Sequence, residues 1–275
     1  MNKLEAYKMD GLGNDFIIFD NRKKSIFLTK TQIIKIADRN NIGCDQVIFI
    51  ENDDSTNASL RFYNADGGEI AACGNGSRCV ANLLMNEIKD KKISLRTKGG
   101  ILQAELKSDN LVKINMGKPN FDWKKIPLLK NIDNKNLKIK IKSKNGKEFV
   151  GGFSLSVGNP HVVFFVEDYR KFDLEKIGPI IENHIYFPER CNVTLATIKN
   201  KKQIIAKVWE RGVGLTKACG TAACATAVSG AVQKLNERHV DIEFSEGLLN
   251  IDWKMNNNIY MTGKVSEAKK IIVNI

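Results

Sequence analysis

The spacing of hydrophobic and polar residues predicts that the first half of the chain is rich in strands. Short apolar segments bounded by turn residues predict strands at residues 17–19, 47–50 and 59–63. The alternation over 100–116 predicts a hairpin that turns near 108–110. Thr31 is the expected N-cap of a helix that ends near Asp38.

The second half of the chain predicts elements in the same order. A strand is expected after His161, followed by a helix over 174–182 and strands around Val193 and over 204–209. Paired strands follow over 240–262. A last strand, 270–273, is expected to pair back with the first domain.

Two segments are apolar around most of their helical circumference, and each follows a cysteine and a glycine. One covers residues 77–88, after Cys73-Gly74-Asn75, and the other runs from Gly220 towards residue 235, after Cys219. A helix that lacks a polar face is expected to be buried. Each half is therefore predicted to be a sheet curled around a central helix whose N-terminus points outward.

The two halves are related by an internal repeat. Cys73 and Cys219 lie 146 positions apart (219 − 73), and other pairs keep an offset of 145 or 146. These pairs include Asn14 with Asn159, Phe16 with His161, Gln46 with Asn192, Asn64 with Glu210 and Gly117 with Gly263. The pattern predicts an α+β fold of two pseudo-symmetric domains, each a curled, barrel-like mixed sheet around its helix. The expected domains are residues 1–118 with 265–275, which carry Cys73, and residues 119–264, which carry Cys219.

Composition narrows the class of protein. With 275 residues, 43% of them hydrophobic, the chain is long enough for two domains of ordinary size. The sequence contains no run of about 18 apolar residues that would cross a membrane, and no signal-peptide pattern. Six cysteines in a chain of this length do not make a disulfide framework. We therefore expect reduced thiols, a cytoplasmic protein and no membrane partner.

The net charge of +12 raises the question of nucleic-acid binding. Much of the excess lies between residues 124 and 147, where lysines alternate with apolar residues over 137–142. That alternation is typical of an amphipathic strand with its lysines in solvent. A solvated face is the favoured interpretation, and no nucleic-acid partner is expected.

Each of the two Cys-Gly motifs predicts a reactive thiol. A cysteine at a helix N-terminus lies beside unpaired backbone N–H groups and the positive end of the helix dipole, which lower the pKa of a thiol. The same donors suit a substrate carboxylate. A metal site is not expected, because the intervals Cys73 to Cys79 and Cys219 to Cys224 are longer than zinc-site spacings and the chain has three histidines.

Six motifs together resemble the diaminopimelate epimerase family along essentially the whole chain. They are Gly11-Leu-Gly-Asn-Asp-Phe16, Asn64-Ala-Asp-Gly67, Cys73-Gly-Asn-Gly76, Gly158-Asn-Pro-His161, Glu210-Arg-Gly212 and Ala218-Cys-Gly-Thr221. The resemblance implies a homodimer without a cofactor, with the substrate in the cleft between two domains. It also implies interconversion of LL- and meso-diaminopimelate for lysine and peptidoglycan synthesis. Asp10 stands where the family often has histidine.

The implied reaction removes a proton from a carbon next to a carboxylate and returns one on the opposite face. Two groups are needed, one thiolate base and one thiol acid, and we assign them to Cys73 and Cys219. Backbone donors at Gly74, Asn75, Gly220 and Thr221 would stabilise the carboxylate and the developing negative charge. The resemblance implies substrate contacts at Asn14, Gln46, Asn64, Asn159, Asn192, Glu210 and Arg211. It also implies that His161 and Glu210 tune the protonation of the thiols.

Some of these residues have simpler interpretations. Asn14 and Asn159 follow glycines and suit turns, although their repeated context favours function. Cys44, Cys79, Cys191 and Cys224 are expected to be core thiols, Asp66 to be structural, and His184 and His239 to lie at the surface.

Three other functions remain open on the sequence alone. The chain would also suit a related cofactor-independent racemase acting on proline or hydroxyproline, a thiol redox protein, or a basic binding module without activity.

Overall fold

The structure, a computed structural model, describes residues 3–275. The chain divides into two compact units. The first contains the chain up to Asn115 together with Thr262–Ile275, and the second is Met116–Met261. Within the described residues, no helix is both long enough and apolar enough to span a membrane.

The first part of the chain alternates short strands with two helices. Its elements are β1 (Lys3–Gly11), β2 (Asn14–Asp20), α1 (Lys30–Ala37), β3 (Gln46–Glu51), β4 (Ala58–Asn64), β5 (Glu69–Ile70), α2 (Gly74–Ile88), β6 (Lys92–Thr97), β7 (Gly100–Ser108) and β8 (Leu111–Asn115).

The rest of the chain repeats this order after a two-stranded insertion, β9 and β10. Its elements are β9 (Ile139–Lys142), β10 (Glu148–Gly151), β11 (Phe153–Ser156), β12 (Pro160–Phe165), a 3-10 turn (Tyr169–Lys171), α3 (Leu174–Glu182), β13 (Asn192–Asn200), β14 (Gln203–Glu210), β15 (Gly214–Thr216), α4 (Gly220–Val232), β16 (His239–Phe244), β17 (Gly247–Trp253), β18 (Ile259–Lys264) and β19 (Lys269–Asn274).

Strand pairing inside each unit follows one pattern. In the first unit, β2 runs parallel to β3 with Phe16 opposite Gln46, and β3 runs antiparallel to β4. In the second unit, β12 runs parallel to β13 with His161 opposite Asn192, and β13 runs antiparallel to β14. These registers keep the sequence offsets of 145 and 146, so the predicted duplication extends to the hydrogen-bonded ladders.

Each unit has one long helix in its core, as predicted. α2 contacts β1, β2 and β6 to β8, and α4 contacts β11 to β14 together with β16 and β17. α4 is buried through small residues, mostly alanines. α2 departs from the expected apolar surface, because Arg78 and Asn82 are buried along with its aliphatic side chains.

Several local predictions are confirmed. β19 pairs antiparallel with β1 of the first unit, and the 100–116 hairpin forms as β7 and β8. In β9 the isoleucines are buried and the lysines exposed. Cys44, Cys79, Cys191 and Cys224 are buried, as expected for core thiols.

Other local predictions are wrong. The N-cap of α1 is Thr29 rather than Thr31, because Gln32 occupies the third helical position and completes a capping box with Thr29. Six strands were also not predicted: β1, β5, β6, β10, β11 and β15. Four of them, β5, β10, β11 and β15, have only two to four residues, too few for a clear alternation of buried and exposed side chains.

Candidate active site

Cys73 lies at the N-terminus of the central helix of the first unit. It is the N-cap of α2, and the backbone N–H of Gly76 donates to its sulfur at 3.4 Å. The side chain is partly buried. The first-turn N–H groups of a helix have no intrahelical acceptor, so α2 brings hydrogen-bond donors to the edge of the thiol.

The side-chain amide of Asn14 lies between Cys73 and Asp45. Its Oδ1 is 3.8 Å from the sulfur of Cys73, and its Nδ2 donates to Oδ2 of Asp45 at 2.7 Å. A carboxylate only accepts hydrogen bonds, so Asp45 determines which end of the amide faces the thiol. The backbone N–H of Asp15 and the guanidinium of Arg39 donate to Asp45 in turn, at 3.1 and 2.5 Å.

Gln46 and Asn64 face each other across β3 and β4. Nε2 of Gln46 donates to Oδ1 of Asn64 at 3.0 Å. Oε1 of Gln46 is buried without a hydrogen-bond partner. An unsatisfied buried acceptor costs about 1–3 kcal/mol.

The side chain of Asn75 turns away from Cys73 into the core. It is 2% exposed, and its Oδ1 accepts a hydrogen bond from Nη2 of Arg78 at 2.7 Å. Arg78 is fully buried and also donates to the carbonyl of Lys264 at 3.4 Å. The contribution of Asn75 to an anion site therefore comes from its backbone.

Cys219 occupies the equivalent place in the second unit, as the N-cap of α4. It is 6% exposed, and its sulfur lies 3.4 Å from the hydroxyl oxygen of Thr221. Burial raises the pKa of this thiol well above its usual value, and the carboxylate of Glu210 acts in the same direction. The hydroxyl of Thr221 and the N–H of Ala222 oppose this shift.

The expectation that the helix N-terminus lowers the thiol pKa is therefore wrong for Cys219. Transferring a thiolate out of water costs more free energy than the hydrogen bonds from the first-turn donors supply. Glu210 is close enough to Cys219 for a side-chain hydrogen bond. Its own carboxylate accepts a hydrogen bond from the hydroxyl of Thr216 at 2.6 Å.

A chain of polar contacts leads from Cys219 into the core through Asn159. Nδ2 of Asn159 donates to the hydroxyl oxygen of Thr221 at 3.4 Å, and its Oδ1 lies 2.9 Å from Nε2 of His161. Burial first, and the charge of Arg211 second, lower the pKa of His161 to about 3. The imidazole is thus neutral at physiological pH and donates its Nε2 proton to the amide oxygen.

The side chain of Asn192 is hydrogen-bonded to the backbone of Arg211. Oδ1 of Asn192 accepts the backbone N–H of Arg211 at 3.0 Å, and its Nδ2 donates to the carbonyl of Pro160. The guanidinium of Arg211 donates to the carbonyl of Glu189 at 3.0 Å. Because Asn192 is 3% exposed, its amide supports the Arg211 loop from inside the unit.

In the first unit, the expected site residues Cys73, Gly74 and Asn75 form the start of α2 and Asn14 contacts Cys73, whereas Gln46 and Asn64 contact each other across β3 and β4. In the second unit, Cys219, Gly220 and Thr221 form the start of α4, and Glu210 and Asn159 contact this segment. His161 contacts Asn159, and Asn192 contacts Arg211. Three further contacts were not foreseen from the sequence, namely Asp45, Arg78 and Thr216. A charged residue inside an apolar helix was a signal for Arg78, and the position of Asp45 next to Gln46 was one for Asp45.

A family profile and individual relatives match this chain along most of its length, and they name the same family. The profile of the family described as Diaminopimelate epimerase matches residues 6–122 and 153–267. A diaminopimelate epimerase of Pelagibacter ubique is 51% identical over 272 residues, which cover 99% of both chains. The diaminopimelate epimerase of Acidiphilium cryptum is 41% identical over 94% of this chain and 92% of its own.

Solved structures share the fold at low sequence identity. A phenazine biosynthesis protein of the PhzF family from Bacillus anthracis has a TM-score of 0.70 at 15% identity, with both chains fully covered. A hydroxyproline epimerase from Agrobacterium vitis has a TM-score of 0.69 at 10% identity, covering 99% of this chain and 93% of its own. These two describe the architecture alone, whereas the family profile and the relatives cover nearly the whole sequence. The chain is a member of the diaminopimelate epimerase family.

Proposed function

We propose that this protein interconverts LL- and meso-2,6-diaminopimelate without a cofactor, as a step in the synthesis of lysine and peptidoglycan precursors. The observation that carries the proposal is the repeated Cys-Gly motif at the N-termini of α2 and α4 in a member of this family. The named activity of its relatives supplies the substrate.

In the proposed mechanism, Cys73 and Cys219 serve the two faces of the substrate α-carbon. One thiolate removes the α-hydrogen as a proton, which leaves a carbanion stabilised next to the carboxylate. The other thiol donates its proton to the opposite face, so the configuration inverts and that sulfur becomes the thiolate. After one turnover the two sulfurs have exchanged protonation states, and the enzyme is poised for the reverse reaction.

Backbone donors would hold the reacting carboxylate. The first-turn N–H groups of Gly74, Asn75, Gly220 and Thr221 suit an anion, and their attraction grows as negative charge develops in the transition state. The burial of Cys219 supports this role, because water screens the attraction between the N–H donors and an anion less at a buried site.

Polar side chains would recognise the rest of the substrate, which carries two ammonium and two carboxylate groups. Arg211 can bind a carboxylate with two parallel hydrogen bonds. The carboxylate of Glu210 suits an ammonium group, and the side-chain amide of Gln46 can donate and accept. Asn14, Asn64 and Asn159 can donate and accept. Asn192 is assigned to the same set, acting through its support of the Arg211 backbone.

We further propose that the protein is cytoplasmic and forms a homodimer. Six cysteines in a chain of 275 residues do not make a dense disulfide framework, which favours a reducing compartment. Analytical ultracentrifugation at several concentrations tests the oligomeric state, and a purely monomeric protein would contradict it.

The activity is tested by incubating the reduced protein with LL-diaminopimelate and following the meso isomer by chiral chromatography. Parallel incubations with L-proline and trans-4-hydroxy-L-proline test the related racemase activity. Formation of the meso isomer with no change in either proline substrate supports the proposal. Epimerisation of a proline substrate alone would assign the site to the related class, and no turnover of any substrate would remove the proposed function.

A further inference from the structure

Glu182 is a buried carboxylate that the sequence did not single out. It is the last residue of α3 and is 5% exposed. A carboxylate at such depth is tolerated only when hydrogen bonds or charges compensate it. Its hydrogen-bond partners therefore show which segment of the chain Glu182 holds in place.

Both oxygens of Glu182 accept hydrogen bonds from residues beside the active-site pair Glu210 and Arg211. Oε2 accepts the indole N–H of Trp209 at 2.7 Å, and Oε1 accepts the backbone N–H of Gly212 at 2.8 Å. One carboxylate thus fixes the residue before the pair and the residue after it.

The helix that carries Glu182 also packs against the side chain of Trp209. A Cβ atom at Gly178 would lie 2.6 Å from two atoms of the indole, so the ring rests directly on the backbone of α3. Arg190 places its guanidinium 3.6 Å from Oε1 of Glu182, which adds a charge partner from the following loop.

The pair held in this way belongs to the site of Cys219. Glu210 is within hydrogen-bonding reach of that sulfur, and its charge disfavours the thiolate. The guanidinium of Arg211 is turned towards the carbonyl of Glu189, in the same loop as Arg190. A shift of the backbone at residues 210–212 would move both groups together.

We propose that Glu182 is a positioning residue for the reaction: by accepting hydrogen bonds from Trp209 and Gly212, it fixes Glu210 beside Cys219 and holds the backbone of Arg211. The inference rests on the proposed function for its kinetic consequences, but its effect on Cys219 is measured without substrate.

The test compares Glu182→Gln and Trp209→Phe with wild type. Glutamine offers one oxygen and one NH2 group, so it satisfies only one of the two donors. Phenylalanine keeps the ring on α3 and removes only the indole N–H. Asn183→Ala is the matched control, because it removes a contact to the carbonyl of Pro179 at the same helix end without touching Glu182.

The first readout is the rate at which iodoacetamide alkylates each cysteine, followed by peptide mass spectrometry. Displacement of Glu210 should make Cys219 react faster in both variants, with Cys73 unchanged. Cys44 and Cys224 are almost fully buried and report general loosening of the two units. The second readout is epimerisation, where kcat/KM should fall by roughly 10- to 100-fold, with a rise in KM from the displaced Arg211.

Faster labelling of Cys219 together with the kinetic loss, both absent in Asn183→Ala, supports the proposal. Unchanged labelling of Cys219, or labelling of Cys224 in step with it, would overturn a positioning role. If wild type does not turn over diaminopimelate but Cys219 still labels selectively, the positioning role stands and the proposed function fails.

Discussion

Asn14 and Asn159, which are equivalent in the repeat, present opposite ends of their amides towards the two cysteine motifs. Asn14 turns its oxygen to the sulfur of Cys73 at 3.8 Å, whereas Asn159 turns its nitrogen to Thr221 at 3.4 Å. Behind Asn14 lies the carboxylate of Asp45, which can only accept, whereas behind Asn159 the imidazole Nε2 of His161 lies 2.9 Å from the amide oxygen. Equivalent asparagines thus have different partners in the two units: the thiol of Cys73 for Asn14 and the hydroxyl of Thr221 for Asn159.

Asp45→Asn should lower kcat by roughly tenfold, because an amide at this position no longer dictates which end of Asn14 faces Cys73. Steady-state kinetics with LL-diaminopimelate measure the effect. Asp54→Asn, at an exposed position, is the control and should retain wild-type rates. Equal rates in the two variants would show that the orientation of Asn14 does not matter for turnover.

Cys73→Ala and Cys219→Ala should each abolish epimerisation, because each face of the α-carbon needs its own proton carrier. The assay is the formation of the meso isomer from purified, reduced variants. Near-wild-type turnover in either single variant would end the two-base mechanism.

Cys79→Ala and Cys224→Ala are the matched controls for Cys73→Ala and Cys219→Ala. Both side chains are fully buried, and each lies within a few residues of Cys73 or Cys219. These variants should keep their activity and lose on the order of 1 kcal/mol of unfolding free energy, from the lost packing of one sulfur. Urea denaturation measures that loss.

Solvent deuterium should enter the inverted centre of the product and not the remaining substrate. The donating thiol exchanges with water before substrate binds, so in D2O it carries deuterium. At low conversion, meso product formed from LL substrate should be labelled, while recovered LL substrate stays largely unlabelled. Mass spectrometry of the separated isomers checks this, and predominant retention of the original hydrogen in the product would indicate a single base.

Glu210→Gln should lower the pKa of Cys219, because it removes the negative charge that adds to the effect of burial. Alkylation of Cys219 at pH 7 to 8 should therefore be faster than in wild type, whereas epimerisation should be slower. The exposed Glu246→Gln variant is the control. Alkylation of Cys219 at the wild-type rate would contradict the electrostatic role of Glu210.

His161 should make the protein less stable as the pH falls below about 6.5. The native pKa is lowered from 6.5 to about 3, mainly by burial, so only the unfolded chain takes up a proton between these values. Above about pH 6.5 both the native and the unfolded protein carry a neutral imidazole, so His161 does not change the unfolding free energy with pH. Below that pH the unfolding free energy falls by at most about 1.4 kcal/mol per pH unit until the pH approaches 3.

The variant His161→Gln tests this dependence, because glutamine keeps a donor for Asn159 and does not titrate. Urea denaturation at pH 7.5 and 5.0 should show a smaller difference in unfolding free energy for this variant than for wild type. Exposed His239→Gln should behave as wild type. An unchanged difference in His161→Gln would show that acid sensitivity arises elsewhere.

The sequence by itself determined the duplication, the central helices and the family. Cys73 and Cys219 stand out because the same short motif recurs 146 positions apart (219 − 73). Periodicity was sufficient to place the two central helices, since a helix that is apolar on most sides has to be buried. These features are local in sequence, or repeat within it, and need no knowledge of which strands become neighbours.

The tertiary structure alone decided the electrostatic character of the site. A helix N-terminus predicts a low thiol pKa, yet burial and Glu210 raise that of Cys219. Asp45 acts on Asn14 from 31 positions away, and Glu182 reaches Gly212 from 30 positions away. Desolvation and hydrogen-bond partners depend on what the folded chain brings into contact, which residue order does not encode locally.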